Sequence, residues 1–129
     1  MTPEEQALVR YRLERANEAL DEARLLFEAG HLRTYVNRLY YACFYAVSAL
    51  LLTQGLSASR HTHLRALLHK ELIRPGVIPL KYGQFYDLLF NNRQKGDYSD
   101  FVVFQAQQVQ PWLDQAREFV DCISAKISL

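Results

Sequence analysis

The chain has little of what most specialised protein classes require. Two cysteines, Cys43 and Cys122, in 129 residues cannot make a disulfide framework, and each stands among apolar neighbours, which suits reduced core thiols. Five Gly and four Pro exclude collagen-like and low-complexity chains. Lys and Arg number 15 against 14 Asp and Glu, so no global field advertises a polyanionic partner; a nucleic-acid site must be a local patch. The longest apolar run, Leu39 to Leu52, spans 14 residues and contains Ser48, short of the roughly 20 residues a membrane span needs. Met1-Thr2-Pro3-Glu4-Glu5 carries no apolar secretory region. These absences predict a cytoplasmic protein that does not engage a membrane. The phosphate-cradling glycine loop, Cys-x-x-Cys and His-Glu-x-x-His are also missing, and no metal or cofactor is expected.

What is present is apolar residues, half of the chain, with a 3.6-residue period. Thr2-Pro3-Glu4-Glu5 reads as a capping box opening a first helix. Its stripe is Val9, Leu13, Ala16, Leu20, Ala23 and Phe27, and Gly30 ends it. A second helix, roughly Leu32 to Gln54, is apolar nearly all round, as in the centre of a bundle. A third starts after Ser57 or Ser59 and is broken by Arg74-Pro75-Gly76. Pro79 opens a fourth, closing near Gly96. The last helix is capped by Ser99 or Asp100, with Pro111 predicting a kink or a later true start. No segment alternates with period two. The reading is an all-α antiparallel up-and-down bundle of four to five helices, one domain over residues 1–129. Leu13, Leu20, Leu39, Ala42, Leu89, Leu113 and Val120 are its expected core. Trp112, Phe119, Tyr82, Tyr86 and Phe104 exceed what one small core readily absorbs, which predicts a homodimer.

Several polar residues read as ordinary surface. His61 and His63 are two apart, a poor spacing for a helical metal site; His69 edges a leucine stripe; Asp114 and Glu118 are solvated. Two stretches resist that reading. Arg38, Tyr41, Tyr45 and Ser48 stripe a helix that otherwise wants burial. Asn91 through Tyr98 places Arg93, Lys95 and Asp97 at the end of an apolar helix. A structural reading pairs Asp97 with Arg38 or Arg93 to tie helix ends together. A functional reading makes Arg38 and Arg93 phosphate forks, with Tyr41 and Tyr98 as hydrogen-bonding or base-stacking partners.

Asn37-Arg38-Leu39-Tyr40-Tyr41-Ala42-Cys43-Phe44, the Ser59-Arg60-His61 turn, Arg93 through Asp97-Tyr98, and Ala116-Arg117-Glu118-Phe119-Val120 follow one another in an order that resembles the HEPN domain, the higher-eukaryote and prokaryote nucleotide-binding domain. The resemblance spans about residues 4–127 and is nearest to small single-domain prokaryotic HEPN proteins. It implies a helical bundle, commonly a homodimer, often paired with a minimal nucleotidyltransferase in a toxin–antitoxin-like module. It also implies nucleotide or RNA binding, here through Arg38, Tyr41 and His61. Many HEPN domains are metal-independent ribonucleases, which would give Arg93, Asp97 and Tyr98 catalytic roles. Their usual signature is an Arg followed after four to six residues by a His. Here no His follows Arg93; Asp97 and Tyr98 come instead, and Arg65 and His69 have only three residues between them. A carboxylate of ordinary pKa, about 3.9, is a poor general acid at neutral pH.

Three functions stand on this sequence. The first is a HEPN-type binding or accessory protein that partners a nucleotidyltransferase. The second is a ribonuclease toxin using Arg93 with Asp97, or with His61 across a dimer interface. The third is a structural adaptor without ligand.

Overall fold

The computed structural model describes residues 1–100 and 102–129, and every described element is helical. Helix α1 covers Pro3–Glu28, α2 Leu32–Thr53, α3 His61–Leu67, α4 Leu80–Tyr98, α5 Ala106–Val109 and α6 Trp112–Ser124. A π-helical segment, Leu68–Ile73, continues α3 directly.

The capping box forms as the sequence predicts. Thr2 Oγ1 accepts the Glu5 N–H at 3.1 Å, and the Thr2 N–H reaches Glu5 Oε1 at 3.3 Å. Gly30 and Gly55 follow α1 and α2 with φ of 80° and 75°, a left-handed conformation that costs residues with a Cβ. The short link between these helices folds them into an antiparallel hairpin. The contacts Arg12–Ser48, Arg15–Tyr45 and Glu22–Arg38 descend one helix as they climb the other. Helix α2 also packs against α3, α4 and α6, which explains why it is apolar almost all round.

Leu20, Leu39, Ala42, Leu89 and Val120 lie in the core as expected, but Leu13 and Leu113 are only half-buried. They sit at the edges of their stripes, whose centres are Ala16, Ala19 and Ala23 in α1 and Ala116, Phe119 and Val120 in α6. Small α1 residues there let α2 approach closely. Tyr35 is buried against the end of α5, and its hydroxyl donates to Val109 O at 2.8 Å. Burial pushes its pKa up to about 12.

Three boundaries differ from the sequence reading. Helix α3 is capped by Arg60 rather than by Ser57 or Ser59, with no side-chain bond to the helix end. Gly96 does not close α4. It lies buried inside the helix, where Phe104 packs so near that a Cβ would come within 3.0 Å of its Cε2. Neither Ser99 nor Asp100 caps the last helix. Ser99 ends α4, residues 102–105 run without helix, and α6 begins after Pro111, the later start that this proline foreshadows.

The aromatic surplus is also smaller than expected. Trp112, Phe119, Tyr86 and Phe104 are buried within the chain itself and Tyr82 is half-buried, so they leave little surface to drive self-association. No described helix is long and apolar enough to cross a membrane.

Candidate functional site

Three helices deliver the polar residues to one place. Helix α2 contributes Asn37, Arg38, Tyr40 and Tyr41, the first turn of α3 contributes His61, and α4 contributes Tyr86, Arg93, Asp97 and Tyr98. On α4, positions 86 and 93 lie two turns apart and 97 one turn further, so all three share the side that faces α2.

Arg93 is at the centre. It is 5 % exposed, the one buried charged residue among those described. Its guanidinium carbon stands 4.6 Å from the ring centre of Tyr40, 5.9 Å from that of Tyr41 and 6.0 Å from that of Tyr98. Aromatic faces attract a cation, which offsets part of the cost of burying it. Its carboxylate contact is long: Nη1 lies 3.6 Å from Asp97 Oδ2. The buried Nε finds no hydrogen-bond acceptor among the described residues. A buried donor without an acceptor is costly, which singles this group out.

Asp97 is tied elsewhere too. Asn37 Nδ2 donates to the same Asp97 oxygen at 3.0 Å, while Asn37 Oδ1 accepts from Arg38 Nε and Nη2 at 3.2 and 2.8 Å. Arg38 Nη1 lies 3.6 Å from Glu22, and its guanidinium covers Tyr41 at 5.1 Å. Of the two pairings the sequence offered for Asp97, the structure thus forms the one with Arg93. Arg38 connects to it only through Asn37, on the half-buried edge of α2.

His61 closes the other side. Its Nδ1 is 2.8 Å from the Tyr40 hydroxyl and its Nε2 is 3.5 Å from that of Tyr41. Tyr86, wholly buried, donates to the Tyr40 hydroxyl at 3.3 Å. Burial, and then the charge of Arg93, hold the His61 pKa below its ordinary value. His61 therefore reaches Arg93's surroundings within one chain, with no second copy required. Tyr98 is 77 % exposed and leads from the cluster to an open groove of about 510 Å³ lined by Asn91, Gln94, Lys95, Tyr98 and Ser99.

Every residue nominated from the sequence, Arg38, Tyr41, His61, Arg93, Asp97 and Tyr98, thus meets in one cluster. Asn37, Tyr40 and Tyr86 join it without having been nominated. Tyr40 and Tyr86 carry the periodicity of core residues, and nothing in a hydropathy pattern separates a tyrosine that only packs from one that also bonds a histidine. His69 lies apart, 3.0 Å from Asp87, and Glu118 sits 3.8 Å from Lys81 at the surface.

The fold and site define an all-helical protein whose central helices enclose an arginine held by tyrosine rings, a histidine and a carboxylate. The HEPN domain pattern matches residues 9–126, and the chain belongs to the HEPN family. A UPF0332 protein of Thermotoga maritima is 40 % identical over 124 residues, covering 96 % of this chain and 94 % of that one. A Methanocaldococcus jannaschii protein provisionally named as a toxin is 33 % identical over 111 residues, covering 86 % of this chain and 82 % of its own. The solved structure of TT1696 from Thermus thermophilus superposes with a TM-score of 0.75 at 20 % identity, covering 92 % of this chain and 98 % of that one, a likeness of fold.

Proposed function

We propose that this HEPN protein is the nucleotide- or RNA-binding component of a toxin–antitoxin-like module, and that Arg93 is its phosphate-binding group. One observation carries the reading: Arg93 is buried, over the ring of Tyr40, long in its contact with Asp97 and without an acceptor at Nε among the described residues. A structural adaptor would gain nothing from leaving a buried guanidinium so poorly matched, since one apolar side chain packs there at less cost. A phosphate oxygen that reached Nε, which protein atoms cover in this structure, would supply the missing acceptor. Tyr98 and Tyr41 offer ring faces for a base, and Lys95 adds charge at the groove. The provisional toxin names of relatives support the module; a minimal nucleotidyltransferase is the partner that the family resemblance implies. The reading does not need the homodimer that the family resemblance implies, since His61 and Arg93 meet within one chain.

A second reading, a metal-independent ribonuclease, is favoured by the placement of His61. His61 of α3, beside the same tyrosine ring, would stand in for the histidine absent after Arg93 in the sequence. Arg93 would then neutralise the scissile phosphate while His61 moves a proton.

Incubation of the purified protein with single-stranded RNA in EDTA separates the two. The binding reading expects RNA to be retained and left largely intact. Robust cleavage, lost in both Arg93→Ala and His61→Ala, would put the ribonuclease first.

A further inference from the structure

We propose that Tyr86 and Tyr40 form a hydroxyl chain that fixes His61 as the Nε2–H tautomer, so that His61 meets an anion bound at Arg93 as a hydrogen-bond donor. The ligand half of this inference rests on the phosphate-binding reading of Arg93; the tautomer half does not.

The argument is a count of hydrogens. Tyr86 is wholly buried, and the oxygen of Tyr40 at 3.3 Å is its hydroxyl's one partner among the described residues. Tyr86 therefore donates to Tyr40. The Tyr40 hydroxyl, with its acceptor side occupied, has His61 Nδ1 at 2.8 Å as the partner for its own hydrogen. Were Nδ1 protonated instead, Tyr40 would receive two hydrogens and its own would point into the core with no acceptor, which costs more than a tautomer change. Burial raises the pKa of both tyrosines, so both stay protonated and able to donate.

The remaining condition is that the imidazole carries a single proton. The charged and titratable groups around it are Arg93 from α4 and the hydroxyls of Tyr40 and Tyr41 from α2, and no carboxylate bonds the ring among the described residues. Arg93 opposes a second proton. The single hydrogen is then on Nε2, the nitrogen on the half-buried Tyr41 side, 3.5 Å from that hydroxyl. A neutral histidine in this state offers a donor there and no lone pair. It complements Arg93 in holding an oxyanion, and it cannot accept a proton at Nε2 unless the chain rearranges.

Two-bond proton–nitrogen correlation spectra of the ¹⁵N-labelled protein above pH 7 read the tautomer directly. In the wild type, His61 Nε2 carries the proton and Nδ1 shows the shift of an unprotonated nitrogen. Tyr40→Phe removes the donor and only one oxygen. It should give a mixture with more than about a tenth Nδ1–H, because the preference then falls below about 1.4 kcal/mol. Tyr86→Phe should shift the populations in the same direction by less. A wild-type ring protonated at Nδ1 overturns the proposal, as does an unchanged single tautomer in Tyr40→Phe. Should Tyr40→Phe fail to fold, the wild-type spectrum and Tyr86→Phe still decide. Titration of the wild type with inorganic phosphate tests the ligand half separately. The Nε2 proton resonance should move with phosphate and not move in Arg93→Met. A correct tautomer with no phosphate response leaves the hydroxyl chain standing and overturns the donor role of His61; the phosphate reading of Arg93 is overturned separately, by equal RNA binding in wild type and Arg93→Met.

Discussion

The guanidinium of Arg93 lies 4.6 Å from the ring centre of Tyr40, closer than any of its other aromatic contacts, while its nearest carboxylate contact is 3.6 Å long. A charge shared between a ring face and one long carboxylate contact keeps its hydrogens less committed than one in a two-pronged carboxylate pair. That arrangement suits an arginine kept for a ligand.

Arg93→Met follows from this directly. The replacement removes a buried charge and the orphaned Nε while filling similar volume, and Asp97 keeps its bond from Asn37. Stability should stay within about 1 kcal/mol of wild type by urea denaturation, whereas breaking a well-made buried pair costs about 3–5 kcal/mol. A loss in that larger range would make Arg93 a structural residue.

Arg38→Leu should be nearly silent for stability, with a loss below about 1 kcal/mol. Its partners, Asn37 and the half-exposed Glu22, lie at the edge of the cluster, where ion pairs contribute little. The sequence alone suggested that losing Arg38 could strand Asp97, but Asp97 is held by Asn37 and Arg93. Chemical denaturation showing a loss of several kcal/mol would contradict this arrangement.

His61 should make stability depend on pH. Burial and Arg93 lower its folded pKa below the unfolded value of about 6.5, so between the two values the unfolded chain binds more protons. The contribution of His61 is therefore complete above pH 6.5 and is lost as pH falls through the folded pKa. An NMR titration should place the His61 midpoint below that of the unfolded chain and move it up in Arg93→Met. A wild-type midpoint at or above 6.5 would refute the assignment of these causes.

Gly96→Ala should destabilise despite the better helix propensity of alanine. The new Cβ would stand 3.0 Å from Phe104 Cε2, and Phe104 is itself buried. Overpacking of this kind costs about 1–3 kcal/mol against a propensity gain of about 1. Thermal denaturation should show a net loss; a net gain would mean that the Phe104 ring yields freely.

The bundle was legible because its helices announce themselves by period and by caps, as the Thr2–Glu5 box and the run of buried positions from Tyr35 to Leu51 in α2 show. The end of α4 was not. A glycine in sequence signals a stop, and only the tertiary approach of Phe104 shows that Gly96 is there for lack of a side chain. The site was partly legible, since Arg38, Asp97 and Arg93 are conspicuous against apolar surroundings. Asn37 was hidden because a polar residue at a helix edge is unremarkable until its amide is seen between Arg38 and Asp97. The role of His61 was hidden by distance along the chain, 32 residues before Arg93.

The central claim, that Arg93 is kept for a phosphate-bearing ligand, is tested most directly by fluorescence anisotropy with a short single-stranded RNA in EDTA. Wild type and Arg93→Met are compared at one salt concentration, after denaturation has shown both to be folded. The account predicts that Arg93→Met binds at least about tenfold more weakly, the loss of one charged hydrogen bond to phosphate. Equal affinity in the two proteins would contradict it.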